Sequence, residues 1–373
     1  MVQPQRLIST FTDLCLINSP ARREAAIADH LQSALEALGL RCVRDRAGDV
    51  VGGTTGNLIA TLPGTLPDRP MIFLAAHMDT VEPTEGITII RDGDWIKTDG
   101  TTILGADDRA GIAPILEALR VVQEQNLQHG GIQAVFTVCE EIGLLGAKAL
   151  DRSLIEASFG FVLDSGPPVG SVVTSAPTQD SFNVRIIGRP AHAGAEPEKG
   201  ISAIQAAARA IDRMRLGRID PETTANVGVI QGGDATNIIC AEVQLRAEAR
   251  SRDPRKLEVQ VQDMVDAFNE AAGHYGATAE IDIHHQYDAY NIAVDAPNVA
   301  LALRAAERMG LPTRTRSVGG GSDANVFNSI GMAACVLGTG MTDVHTHDER
   351  IDVRDLVATA EWVVAIIKEA ASS

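Results

Sequence analysis

Residues 71–79 read Met-Ile-Phe-Leu-Ala-Ala-His-Met-Asp, an apolar run that stops at His77 and Asp79. The run 71–75 has the length and composition of a strand buried on both faces, the kind that parallel sheets carry under a layer of helices. The same figure returns along the chain. The apolar run 132–138 is followed by Glu140 and Glu141, the run 159–163 by Asp164, and the run 332–337 by His345 and His347. Stretches with helical spacing separate them, at 110–123, up to Ala149, at 296–309 and at about 354–368. An earlier helix is expected to open at Ser19-Pro20, to carry Ile27, Leu31, Leu35 and Leu38, and to end at Gly39. Strands alternating with helices predict an α/β domain on a helix-covered, mostly parallel sheet. All strand C-termini of such a sheet lie at one edge, where ligands bind. Carboxylates and imidazoles far apart in sequence are therefore expected together, with Asp107 and Asp108 ahead of the 110–123 helix.

The pattern changes near Thr178. Residues 182–187 alternate like a half-exposed strand, and a helix with Ile204, Ala208, Ile211 and Met214 follows. Two strand-like runs (225–230 and 243–249), a helix with Leu257, Val261, Met264, Val265 and Phe268, and a strand at 279–283 complete the series. The order β-α-β-β-α-β is that of the ferredoxin-like motif. The expected organisation is a main domain of residues 1–178 and 292–373, with a small α+β domain of residues 179–291 inserted in it.

Bulk composition narrows the partners. Lys and Arg number 32 against 49 Asp and Glu, a net charge of −17. Such a chain repels phosphate backbones and anionic lipid, so nucleic acid and membranes are disfavoured. Five cysteines, none in a close pair, fit free thiols in a reducing compartment. Asp13 interrupts the one apolar run near the start, so neither a signal peptide nor a spanning helix is expected, and a cytoplasmic location is the default.

Each acidic or histidine motif has an ordinary reading alone: a turn residue, a helix cap, a solvated helix start. Their joint placement at one sheet edge points to a metal. His77-x-Asp79 in an extended segment puts both side chains on one side. The imidazole can then bind a metal through one nitrogen while Asp79 receives the other N–H. Adjacent Glu140 and Glu141 point in different directions, so one can bind metal while the other acts as a general base.

Taken together, His77-Met78-Asp79, the run Gly105-Ala106-Asp107-Asp108-Arg109-Ala110-Gly111, Glu140-Glu141, Asp164-Ser165-Gly166 and His345-Thr346 with Glu349 and Ile351 resemble the M20 family of metallopeptidases. The Gly105–Gly111 run is most similar to the tripeptide aminopeptidase (peptidase T) branch, with Arg109 where lysine is usual, an exchange expected to be harmless. The resemblance implies two zinc ions per subunit, with Mn2+ or Co2+ as other candidates. Asp107 would bridge them, His77 and Asp164 would complete one site, and Glu141 and His345 the other. Glu140 would be the general base, Asp79 the orienter of His77, and Asp107–Asp108 a cis peptide. His347 would be a neighbour rather than a ligand. The inserted domain would be the family's lid and dimerisation domain, giving a homodimer in which His192, from Gly188-Arg189-Pro190-Ala191-His192-Ala193-Gly194, reaches an active site. Asn237, Arg250, Gly320 and Asp323 would contact substrate, although Arg250 reads equally as a surface charge. The expected function is hydrolysis of short peptides from the free N-terminus. An amide deacylase, an aminoacylase or a carboxypeptidase on the same scaffold remains open. A non-catalytic metal-binding protein is disfavoured, because it has no need of Glu140.

Overall fold

The computed structural model describes residues 1–372. They form two compact units. One comprises Met1–Thr174, Asn291–Ser317 and the segment from Ser322 onward, and the other comprises Ser175–Tyr290 with a short return at Val318–Gly321.

In the larger unit the strands Gly131–Thr137, Ile72–His77, Phe159–Ser165 and Ala334–Gly338 stand side by side in that order and run parallel. Leu58–Pro63 and Ser171–Ala176 flank them antiparallel. Ile72–His77 and Gly131–Thr137 are buried at every residue, so their sequences show no polar alternation. The helices Pro4–Cys15, Ala25–Ala37, Ala106–Glu124, Pro297–Arg308 and Val353–Ser372 supply the apolar stripes that complete this core. Trp362 is fully buried, and its indole N–H donates to the carbonyl of Ala302 at 3.0 Å. A small antiparallel sheet of Ile89–Asp92, Trp95–Thr98 and Arg350–Asp352 stands apart from the main one.

Two local expectations are corrected here. The helix expected at Ser19-Pro20 begins at Ala25. Ser19 is fully buried and donates its hydroxyl to the carbonyl of Met78 at 2.9 Å, so it has no free role as a cap. The interrupted run near the start is itself a helix, Pro4–Cys15: Asp13 falls on its outer face while Leu7, Phe11 and Leu14 are buried. The helix expected after residue 138 shrinks to Leu145–Lys148, which leaves Glu140 and Glu141 in a turn.

The smaller unit is an antiparallel sheet in which Thr223–Gly232, Glu242–Ser251, Thr178–Ile187 and Thr278–Tyr287 are neighbours in that order. With the helices Ala203–Arg213 and Pro254–Tyr275 this is the ferredoxin-like chain order. Phe182, Val184 and Ile186 face its core. The buried stripe of the first helix is Ala203, Ala206, Ala207 and Ala210, whereas Ile204 is 47 % exposed. Four alanines bring the helix axis close to the sheet, and the larger side chain is turned outward. Relative to the expected span of 179–291, this unit also includes residues 175–178 and the return at Val318–Gly321. In that return the N–H of Val318 donates to Ser175 at 3.0 Å. Gly321 lies so close to the Tyr287 ring that a Cβ there would fall 2.3 Å from it. Among the described residues no helix is long and apolar enough to cross a membrane.

Candidate metal centre

The parallel register carries the acidic and imidazole side chains to one edge. His77 ends its strand opposite Thr137, Glu140 and Glu141 follow that residue, and Asp164 lies near the end of the adjacent strand. Asp107 sits at the start of the Ala106–Glu124 helix, and His345 lies in the loop after Ala334–Gly338.

Two groups form there with one shared member. His77, Asp107 and Asp164 offer ligand atoms that all lie within 4.8 Å of one another, and so do Asp107, Glu141 and His345. The carboxylate of Asp107 divides itself between them. Its Oδ1 is 2.9 Å from His77 Nε2 and its Oδ2 is 3.2 Å from His345 Nε2. His345 Nε2 is also 3.0 Å from Glu141 Oε1. Glu140 and His347 belong to neither group. Glu140 is buried beside the site and His347 is exposed.

The electrostatics of these groups favour a cation. Burial opposes charge on His77, but Asp107 and Asp79 outweigh it and raise the imidazole well above its ordinary range. Hydrogen bonds to Asp107 and Glu141 push His345 up to about 10. Burial raises Asp164 and Glu140 well above the carboxylate range, with Asp107 adding to the first and Asp164 to the second. Asp107 is held low despite its burial, because two imidazoles bond to it. Three carboxylates and two imidazoles, without thiolate, form an N/O donor set suited to borderline divalent ions such as zinc.

A ring of side chains holds the ligand-bearing turns by their amides. Asp79 accepts the Glu140 N–H at 2.9 Å on one oxygen and the Glu141 N–H at 3.0 Å on the other. His77 Nδ1 is 2.9 Å from the Asp79 carbonyl and 3.5 Å from its carboxylate, so Asp79 orients His77 mainly through its backbone. Glu24, fully buried, accepts the Cys139 N–H at 3.0 Å. Cys139 has a φ of 53°, a left-handed conformation that a branched or long side chain seldom adopts, and these bonds hold the turn in it. Glu349 accepts the N–H groups of Gly105 and Asp107 at 2.6 and 3.0 Å. Arg109 is 1 % exposed and donates to the carbonyls of Leu14, Met78 and Ile17 and to the Ser19 hydroxyl. The peptide bond Asp107–Asp108 is cis.

Glu24 had no signal in the sequence, since Arg22-Arg23-Glu24 before an apolar stripe reads as an ordinary helix start. Glu349 was visible only as part of a motif. Of the residues expected to meet substrate, His192, Asn237, Arg250 and Gly320 belong to the smaller unit, with His192 and Asn237 on paired neighbouring segments, and Asp323 belongs to the larger. His192 is exposed, and its Nδ1 accepts the N–H groups of Gly194 and Ala195 at 3.1 Å each, which leaves the proton on Nε2. The Asn237 carbonyl accepts the Ala193 N–H at 2.9 Å. Arg250 is half-buried and donates to Glu248 at 2.9 and 3.0 Å. Gly320 is exposed. Asp323 is buried; it accepts the Thr137 hydroxyl on Oδ2, and Oδ1 has no partner.

Comparison with known proteins gives the same pattern. Residues 73–369 match Peptidase family M20/M25/M40. The chain is 47 % identical to YqjE of Bacillus subtilis (strain 168) over 371 residues, the full length of both. It is similar in structure to the aminopeptidase PepT of Bacillus cereus ATCC 10987, with 46 % identity, 99 % of each chain covered and a TM-score of 0.89. It is similar also to a tripeptidase of Staphylococcus aureus subsp. aureus Mu50, with 42 % identity, all of both chains covered and a TM-score of 0.95. The carboxylate shared by two candidate metal-holding groups and these matches identify the chain as a member of peptidase family M20, a hydrolase.

Proposed function

We propose that this protein is a dinuclear zinc aminopeptidase that removes the N-terminal residue from short peptides, tripeptides among them. The observation that carries the reading is the split of Asp107 between two ligand groups, with Glu140 buried beside both and bound into neither. His77 and Asp164 would hold one zinc, Glu141 and His345 the other, and Asp107 both. A zinc pair in that position supplies Lewis-acid polarisation of the scissile carbonyl and lowers the pKa of water.

The chain's own residues perform the remaining work. Glu140 accepts a proton from the attacking water at a carboxylate oxygen and returns it to the departing amine nitrogen. Its raised proton affinity, caused first by burial, suits it to that task. Asp79 fixes the Glu140 amide, and hence the position of the base. His192 carries its proton on Nε2 and would donate from there to the tetrahedral oxyanion. Support for cleavage from the N-terminus comes from the aminopeptidase and tripeptidase relatives.

A matched tripeptide set tests the polarity. N-acetylation should abolish cleavage, C-terminal amidation should be tolerated, and the first product should be the N-terminal amino acid. Efficient release of the C-terminal residue from the acetylated peptide would refute the aminopeptidase reading in favour of a carboxypeptidase or deacylase.

A further inference from the structure

Residues 343–349 form a loop closed at its base. Thr342 and Arg350 exchange both backbone hydrogen bonds, at 3.0 and 3.1 Å. Arg350–Asp352 then pairs with Trp95–Thr98, Ile351 is fully buried, and the Arg350 guanidinium lies 4.9 Å from the Trp95 ring centre. The loop thus hangs from a fixed stem. It sends two side chains to one target. His345, with a φ of 63°, reaches the Asp107 carboxylate at 3.2 Å. Glu349, 1 % exposed, takes the Asp107 N–H at 3.0 Å and the Gly105 N–H at 2.6 Å. The bridging aspartate is gripped by side chain and by backbone from one loop, 242 residues away in sequence for the Glu349 bond.

The two ligand groups do not depend on this grip equally. His77 and Asp164 stand on the parallel strands Ile72–His77 and Phe159–Ser165, and neither is carried by the loop. His345 is carried by it. The ordinary role for Glu349 is to cap the helix that begins at Ala106, where Gly105 has no side chain to do so. A cap alone would leave metal affinity untouched, or would alter both positions together.

We infer that Glu349 is a positioning residue that sets Asp107 in register with His345, so that its loss weakens the Glu141–His345 position, two of whose three ligands this loop places, more than the His77–Asp164 position, which shares only Asp107 with it. The inference rests on the dinuclear reading above and concerns metal binding, so it can be tested without a substrate. Native protein, Glu349→Gln and Glu349→Asp are stripped of metal, their melting is compared, and each is titrated with zinc by calorimetry. Glu349→Asp keeps the charge but withdraws the carboxylate by one methylene, which covers the case in which Glu349→Gln does not fold. Native protein should bind two equivalents. Each folded variant should weaken one equivalent by roughly 10–100-fold, the usual cost of losing a residue behind a ligand, and the other by clearly less. Peptidase kcat should fall with KM little changed, and excess zinc should restore it. Two native-like equivalents in the folded variants, or equal weakening of both, would overturn the inference. Fewer than two equivalents in native protein would overturn the dinuclear reading, and the inference with it.

Discussion

At the scale of single residues, the least comfortable group is Asp323. Burial raises its carboxyl from 3.8 to about 6, the Thr137 hydroxyl offsets only part of that, and Oδ1 has no partner. The folded protein therefore holds a proton here more tightly than the unfolded chain does. The associated stability is present in full below the unfolded value and is lost as pH rises from about 4 to about 6. Above that range the ionised group costs on the order of 2–3 kcal/mol. In chelator-treated protein, Asp323→Asn should melt above the native chain at about pH 7–8, and the gap should close towards about pH 4. A constant gap across that range in a set of pH-resolved melting curves would place the effect in packing rather than ionisation. Among the candidate ligands, His77, Glu141, Asp164 and His345 were legible because each follows an apolar run, and Asp107 because it stands ahead of a helix, patterns that sequence displays directly. Glu24 and Asp323 act through contacts closed by the fold, Glu24 on an amide 115 residues away. Periodicity carries no trace of such bonds.

At the scale of elements, the strands were legible where burial on both faces forces an unbroken apolar run, as in Ile72–His77. The helix starts were not. Ser19-Pro20 has the composition of a cap, but Arg109 and the Met78 carbonyl claim the hydroxyl of Ser19. Against the expectation of a harmless exchange, the same contacts predict that Arg109 is not equivalent to lysine in this chain. Its planar fork ties the end of the Pro4–Cys15 helix and the segment to Ser19 onto the turn that follows His77. A lysine offers three donors from one atom and cannot span those acceptors. Arg109→Lys should lower stability by about 1.5–3 kcal/mol, the range for hydrogen bonds to a charged group, in urea unfolding. An unchanged midpoint would show that an ammonium satisfies the same carbonyls. The stripe of the Ala203–Arg213 helix was misread for a related reason. Hydrophobicity pointed to Ile204, whereas close approach to the sheet selected the alanines.

At the scale of the whole molecule, the chain order of both units was legible, because the switch from buried runs to alternating strands marks the insertion. The short return at Val318–Gly321 was not, since four residues of Val-Gly-Gly-Gly have no periodicity to read. The homodimer that the family resemblance implies gives a test of how complete one subunit is. Glu140→Gln should lose roughly 10²–10⁴-fold in turnover, and His192→Ala should also be impaired. If His192 acts in the partner's active site, mixing the two under subunit exchange should regain one working site per heterodimer. Demonstrated exchange without recovered peptidase activity would assign His192 to its own chain, or to no catalytic role. The return at Val318–Gly321 has a separate consequence for anyone cutting this protein apart. An insertion with two junctions can be excised and its ends spliced. Here the backbone passes between the units four times, at 174/175, 290/291, 317/318 and 321/322. Splicing out 175–290 alone would strip Gly321 of the Tyr287 ring it was shaped to admit. A clean deletion needs two scars, the second within a few residues of the helix Asp323–Ser329.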